Sequence, residues 1–259
     1  MKENLFKKKF EKGESTVGTF FVVGTPALAE AVSCSDVDYL LIDCEHGPFD
    51  VESALAMLPS IELRGKTALI RTRDTSRTSI LKPLDIGAGG LIIPQLHSVE
   101  EVKKVVEYGK YYPVGQRGVA KGRCGAWGYD DDAKGEDIQE FFDSCNARSL
   151  LIPQCETLGC LEHIEEVAAI DGVDGIFIGP YDLSVAMGMP NQFDHPDFVA
   201  AIDRILKATH AAGKLCMIYA ADPATAHKRL EQGFDSVTVG NDVNFYVDAL
   251  TQMVRDTRG

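Results

Sequence analysis

Several things are missing from this chain, and each absence narrows its class. No two of its seven cysteines (Cys34, Cys44, Cys124, Cys145, Cys155, Cys160 and Cys216) stand at C-x-x-C spacing, and no Cys/His cluster has the spacing of a zinc site. Cys44, Cys155 and Cys216 fall inside apolar runs, where a reduced cysteine acts as a small core residue, so a reducing compartment is expected. No apolar run is long enough to cross a bilayer. Residues 1–10 lack the apolar core of a signal peptide, and Glu3 and Glu11 are unlike a transit peptide. They read instead as a short amphipathic helix, and the expectation is a cytoplasmic protein with no membrane contact. Positive charge is also scarce: 26 Lys and Arg face 39 Asp and Glu, for a net charge of −13. That leaves no basic footprint for nucleic acid. There is no linker, repeat or low-complexity segment, so residues 1–259 are read as one domain.

What is present is enough for a full core: 45% of the residues are hydrophobic and 25% charged. Eight short, mostly continuous apolar runs read as parallel strands buried on both faces, at 19–23, 39–42, 68–71, 90–94, 150–154, 175–178, 215–218 and 236–239. Helical stretches follow them at 26–33, 51–58, 78–86, from 98, and at 158–169, 195–212, 223–232 and 244–255. Asp50 is expected to cap the second, Gly87 to stop the third, and Ser98 with Glu101 to open the fourth as a capping box. Eight strand–helix repeats predict a (β/α)8 TIM barrel with an added N-terminal helix. Residues 109–148 form a long insertion between strands four and five, with a helix at 137–146. It is expected at the C-terminal side of the strands, where long loops are often functional.

Polar residues cluster where the apolar runs end. Asp43, Glu45 and His46 end the second, Arg71 the third, Gln95 the fourth, Gln154 and Glu156 the fifth, and Asp182 the sixth. The C-terminal strand ends of such a barrel converge on one pocket. Glu156 and Asp182 read as two hard oxygen ligands of Mg2+, Mn2+ or Co2+, or else as solvated acids near helix N-termini. His46, beside Glu45 and three residues after Asp43, reads as a general base whose second ring nitrogen a carboxylate holds, or as a turn histidine bonded to backbone. Arg71 would hold a carboxylate or an oxyanion, or form a structural salt bridge to Asp43 or Glu45. The loop from Gly179 to Ser184 could offer backbone N–H groups to a substrate carboxylate, or be an ordinary turn. Asp130-Asp131-Asp132 reads as a solvated loop, and His97, His163, His195, His210 and His227 as structural. No strand ends in lysine, which a Schiff-base aldolase would need there, so carbon–carbon chemistry would call for a metal electron sink.

The chain resembles the HpcH/HpaI family of metal-dependent pyruvate aldolases. The likeness is carried by Ile42-Asp43-Cys44-Glu45-His46-Gly47-Pro48, Ile70-Arg71, Leu84-Asp85-Ile86-Gly87-Ala88, Gly115-Gln116-Arg117-Gly118, Gln154-Cys155-Glu156-Thr157 and the run from Gly172 to Ser184. It implies a lyase that reversibly cleaves a 4-hydroxy-2-oxo acid to pyruvate and an aldehyde through a metal-stabilised enolate. It implies His46 as base, Asp85 raising its basicity, Arg71 with Asp43 at the catalytic centre, and Glu156 and Asp182 on the metal. Gln154 and the backbone of Tyr181 and Asp182 would contact the keto acid, and the assembly would be a homohexamer with the last helix packed on a neighbour. The chain departs from the family pattern at Tyr181, at Thr72-Arg73-Asp74 and over 121–132, changes that bear on the aldehyde. Rival readings are a CoA-thioester lyase on the same barrel and a non-catalytic keto-acid-binding barrel.

Overall fold

The structure, a computed structural model, describes residues 3–135 and 137–259. Eight parallel strands close into a barrel in sequence order: β1 Thr16–Phe21, β2 Tyr39–Asp43, β3 Thr67–Arg71, β4 Gly90–Ile93, β5 Leu150–Cys155, β6 Gly175–Ile178, β7 Leu215–Ala220 and β8 Ser236–Asn241. All eight expected strands are present; the first begins three residues earlier than its apolar run. Side-chain alternation divides the core in two. One set of positions (Leu40, Ile42, Ile70, Leu91, Leu151, Ile176 and Ile218) faces the helices. The other (Phe20, Tyr39, Leu41, Leu69, Ile92, Ile152, Phe177 and Met217) fills the barrel.

The helices follow their local signals, with two overrides. Thr25, Asp50, Ser76, Ser98, Thr157 and Asp222 each accept a bond from a first-turn N–H, as N-caps should. Gly87, at φ 95°, ends Arg77–Asp85 as expected. The helix expected to stop before Pro59 instead continues to Leu63, because buried Met57, Leu58 and Ile61 pin it to the strand layer. The expected 158–169 helix breaks at His163 into Leu158–Glu162 and Ile164–Ala169.

The N-terminal helix spans Leu5–Glu11; residues 1 and 2 of the expected segment lie outside the described ones. Its Phe6 closes the bottom of the barrel, fully buried and edge-on to Tyr39 with ring centroids 5.0 Å apart. Burial of that ring contributes roughly 2–3 kcal/mol. Asn4 fixes the plug by donating to the carbonyls of Gly89 and Arg148, each at 2.7 Å.

The insertion does not lie where the sequence reading put it. It follows Val99–Gly109, which already returns the chain from the C-terminal to the N-terminal rim, and it precedes β5. Its Arg123–Gly128, Asp131–Lys134 and Ile138–Arg148 segments therefore sit beneath the N-terminal rim, away from the strand C-termini. Asp132 is not a solvated loop acid but part of a helix, bonded to Arg148 at 2.6 Å. Among the described residues, no helix is long and apolar enough to cross a membrane.

Candidate active site

The alternation that fills the barrel also aims its polar residues. Asp43 is two residues beyond Leu41, Arg71 two beyond Leu69, Gln154 two beyond Ile152 and Glu156 two beyond that, so all continue the inward-facing set past the last apolar layer. With His46, Gly179, Tyr181, Asp182, Tyr219, Asn241 and Phe20, most of them line a cleft of about 410 Å3 at the C-terminal rim.

Arg71 is the hub. Its Nε donates to Asp43 Oδ1 at 2.9 Å and its Nη2 to Asp43 Oδ2 at 2.7 Å, while Nη1 lies 3.1 Å from Glu45 Oε2. The guanidinium stacks on Phe20, 4.6 Å from the ring centroid. The salt bridges to Asp43 and Glu45 are thus both made. Asp43 also accepts from the N–H groups of Glu45 (3.1 Å) and His46 (3.3 Å), which folds the chain back after β2. Gly47 is required in that turn, because a Cβ there would meet the Asp43 carbonyl at 2.2 Å.

Glu156 is buried, and its carboxylate is held from two sides. Oε1 accepts from Gln95 N–H at 2.8 Å and from the Gln95 side-chain amide at 3.0 Å, and Oε2 accepts from Gln154 Nε2. Gln95 makes both bonds from the left-handed region at φ 54°, which costs roughly 1–2 kcal/mol for a non-glycine residue. Gly179 allows the approach of β6, since a Cβ there would lie 2.7 Å from Glu156 Oε2. Burial raises the Glu156 carboxyl to about 7; the Gln95 N–H pulls the other way, and the charges of Asp182 and Glu45 push it up. Glu45 is raised too, by burial and by Asp43 and Asp182, against the pull of Arg71. Gln154 Oε1 is buried with no hydrogen-bond partner among the described residues.

Asp182 lies in the first turn of Pro180–Ala186, where the N–H groups have no intrahelical acceptor. Tyr181, 42% exposed, forms an aromatic wall with Phe193 (5.0 Å) and Tyr219 (5.9 Å). His46 has a side chain 72% exposed, and its Nε2 is 3.9 Å from Glu45 Oε2, too far for a hydrogen bond, so among the described residues no carboxylate holds the ring.

Asp85 is not in the cleft. It ends the helix Arg77–Asp85, which runs from the C-terminal to the N-terminal rim, and bonds there to Arg117 at 2.6 Å. Within one chain it does not reach His46. Sequence reasoning also left out the partnership of Gln95 with Glu156 and the stacking of Phe20 under Arg71. Counting alternate residues back from Arg71 and Glu156 would have aimed those strands, but no local signal announces the backbone twist at Gln95.

A barrel whose C-terminal rim gathers buried carboxylates around one arginine is the frame of an enzyme, and comparison with known proteins gives its chemistry: a carbon–carbon lyase. The chain belongs to the HpcH/HpaI aldolase/citrate lyase family, which matches residues 16–249. It is 34% identical over 249 residues to 2-keto-3-deoxy-L-rhamnonate aldolase of Klebsiella pneumoniae subsp. pneumoniae, covering 95% of this chain and 90% of that protein. An HpcH/HpaI aldolase from Desulfitobacterium hafniense superposes with a TM-score of 0.87 at 27% identity, over 97% of this chain and 96% of the other. An HpcH/HpaI aldolase/citrate lyase family protein from Burkholderia cenocepacia gives 0.89 at 28%, over 99% and 100%.

Proposed function

We propose that this chain reversibly cleaves a 4-hydroxy-2-oxo acid into pyruvate and a small aldehyde, with a divalent cation held by Glu156 and Asp182. The observation that carries this reading is the excess of carboxylate at the cleft. Asp43 and Glu45 share Arg71 in salt bridges, but among the described residues Glu156 and Asp182 make no salt bridge, and their mutual repulsion helps raise Glu156. Hard oxygen donors in that state suit Mg2+, Mn2+ or Co2+. No group of three or more His, Cys, Asp and Glu side chains able to hold a metal is found among the described residues, so water and substrate would have to supply the remaining donors. When bound, the cation supplies the positive charge that stabilises an enolate.

The remaining work falls to the chain's own groups. The keto acid's carboxylate docks on the N–H groups of Tyr181 and Asp182, and Gln154 orients the 2-oxo end. Arg71, fixed by Asp43 and Glu45, presents its charge to the oxygen that becomes anionic. His46, exposed at the mouth, takes the proton from the C4 hydroxyl as the bond to C3 breaks and the aldehyde leaves. Tyr181, Tyr219 and Phe193 present the wall that meets the aldehyde. Among the described residues Arg71 is the only Lys or Arg lining the cleft, which disfavours a CoA thioester, whose phosphates need a basic groove. The role assigned to Asp85 requires a second chain, so it belongs with the homo-oligomer that this reading includes, a hexamer in a reducing cytoplasm.

The test is proton NMR of pyruvate in D2O, with chelated protein and then with Mg2+, Mn2+ or Co2+ restored. Loss of the methyl signal only with metal is expected. No exchange with any metal would overturn the pyruvate reading.

A further inference from the structure

Two cysteines beneath the barrel take no part in that chemistry. Cys124 lies on the turn Arg123–Gly128, and Cys145 on the helix Ile138–Arg148 that packs beside it. Both are free, and Cys124 packs against the small buried cluster to which Cys145 belongs. Cys145 is buried with Tyr111, Ala133, Phe141 and Phe142; Cys124 is half-buried at the edge of that cluster. Both line a cavity of about 550 Å3 under the N-terminal rim, so a small reagent can reach the pair.

Their surroundings make the two sulfurs unequal. Arg117 Nη2 lies 3.8 Å from the Cys124 sulfur. Arg117 is only 4% exposed, and its Nε has no hydrogen-bond partner among the described residues. The hydrogen bond from Cys145 and then the charge of Arg117 hold the Cys124 thiol down to about 7, against burial and Asp85. Cys145, the proton donor, is pushed up. One sulfur is thus poised as a nucleophile and the other keeps its proton.

The turn is held in this arrangement. Gly125 packs on Phe141 so closely that a Cβ would lie 2.7 Å from the ring. Ala126 and Trp127 occupy the left-handed region at φ 46° and 55°, and Trp127 N–H donates to the Gly122 carbonyl at 2.9 Å.

We infer that Cys124 and Cys145 form a reversible disulfide when the protein meets a small hydroperoxide. The Cys124 thiolate attacks one peroxide oxygen: an S–O bond forms, the O–O bond breaks, and hydroxide leaves. The Cys145 sulfur then attacks the sulfenic sulfur: the S–S bond forms, the S–O bond breaks, and the departing hydroxide takes up the Cys145 proton as water. Two thiols lose two electrons, and hydrogen peroxide becomes two waters. Cys155 and Cys160, close in sequence, are 0% and 1% exposed and so out of a reagent's reach. Cys34 is exposed but has no such partner among the described residues.

The full-length protein, reduced and freed of reductant, is treated with limiting hydrogen peroxide and digested with trypsin without reduction. Expected is a loss of two of the seven titratable thiols, with peptide 124–134 joined to peptide 135–148 and lighter by two hydrogens. Dithiothreitol should release both peptides. In Cys145→Ala, Cys124 should stop at the sulfenic acid or overoxidise; Cys34→Ser should leave the crosslink unchanged. Sulfinic or sulfonic Cys124 in the unmutated protein without a crosslink would overturn the inference. So would a Cys155–Cys160 link formed first, or reaction at Cys34 alone. The peptide map of the unmutated protein decides the matter even if a variant fails to fold.

Discussion

The two rims of this barrel handle charge in opposite ways. At the N-terminal rim four buried or half-buried cations each meet a carboxylate: Arg117 meets Asp85 at 2.6 Å, Arg123 meets Glu62 at 2.8 Å, Arg148 meets Asp132 at 2.6 Å and Lys110 meets Asp174 at 2.8 Å. At the C-terminal rim one arginine makes salt bridges to Asp43 and Glu45, while among the described residues Glu156 and Asp182 make none and repel each other. Matched charge closes a structure, whereas unmatched buried charge has a cost that folding alone does not justify. The imbalance, more than the presence of charged residues, marks the working face.

The largest test of that contrast is Glu156→Ala. It should abolish divalent-cation binding in calorimetry and lower metal-dependent turnover by about 10^2–10^3-fold; metal-dependent turnover near the original rate would show that Glu156 is not a ligand. Next, Arg71→Lys keeps a charge but cannot bond Asp43 twice while reaching Glu45. A fall in kcat of about 100-fold, with folding intact by circular dichroism, is expected. Gly179→Ala drives a methyl group against Glu156 and Gln154, and should weaken metal binding about 10–100-fold with the ligands still present. A fourth test reads stability. Glu156 rises from its ordinary 4.5 to about 7, so the metal-free native state binds that proton more tightly than the unfolded chain. The contribution of Glu156 to stability should be fully present below pH 4.5 and be lost as pH climbs through 7, by no more than about 3 kcal/mol. Urea titrations of chelated protein should show this, and Glu156→Gln should flatten the slope. The smallest effect belongs to the other rim. Arg123→Ala, which breaks the pair with Glu62, should cost about 1–2 kcal/mol and leave kcat/KM within about twofold. A collapse in kcat there would erase the distinction between the rims.

Much of this was legible in the residues, for physical reasons. Parallel strands buried on both faces must be continuous apolar runs, so all eight could be found, and a polar residue that interrupts such a run must face the well or be wasted. Asp43, Arg71, Gln154 and Glu156 were visible on those grounds. Three features were not. The rim at which the insertion sits depends on which end of the preceding helix it leaves, and its length does not carry that. The bond of Asp85 to Arg117 at the N-terminal rim has no signature in a helix terminus. The bond from Gln95 to Glu156 depends on a backbone angle that no neighbouring residue dictates.

The plug at the bottom of the barrel carries a consequence for how the chain is made. Asn4 bonds the carbonyl of Arg148, 144 residues further on. At ribosomal speeds of about 5–20 residues per second, roughly 7–30 s separate the synthesis of that helix from the completion of its socket. Tyr39, Thr67 and Gly89 emerge sooner, but the plug's bond to Arg148 is not available until that delay has passed. A chaperone that holds this segment would be keeping an apolar face covered until its socket is complete.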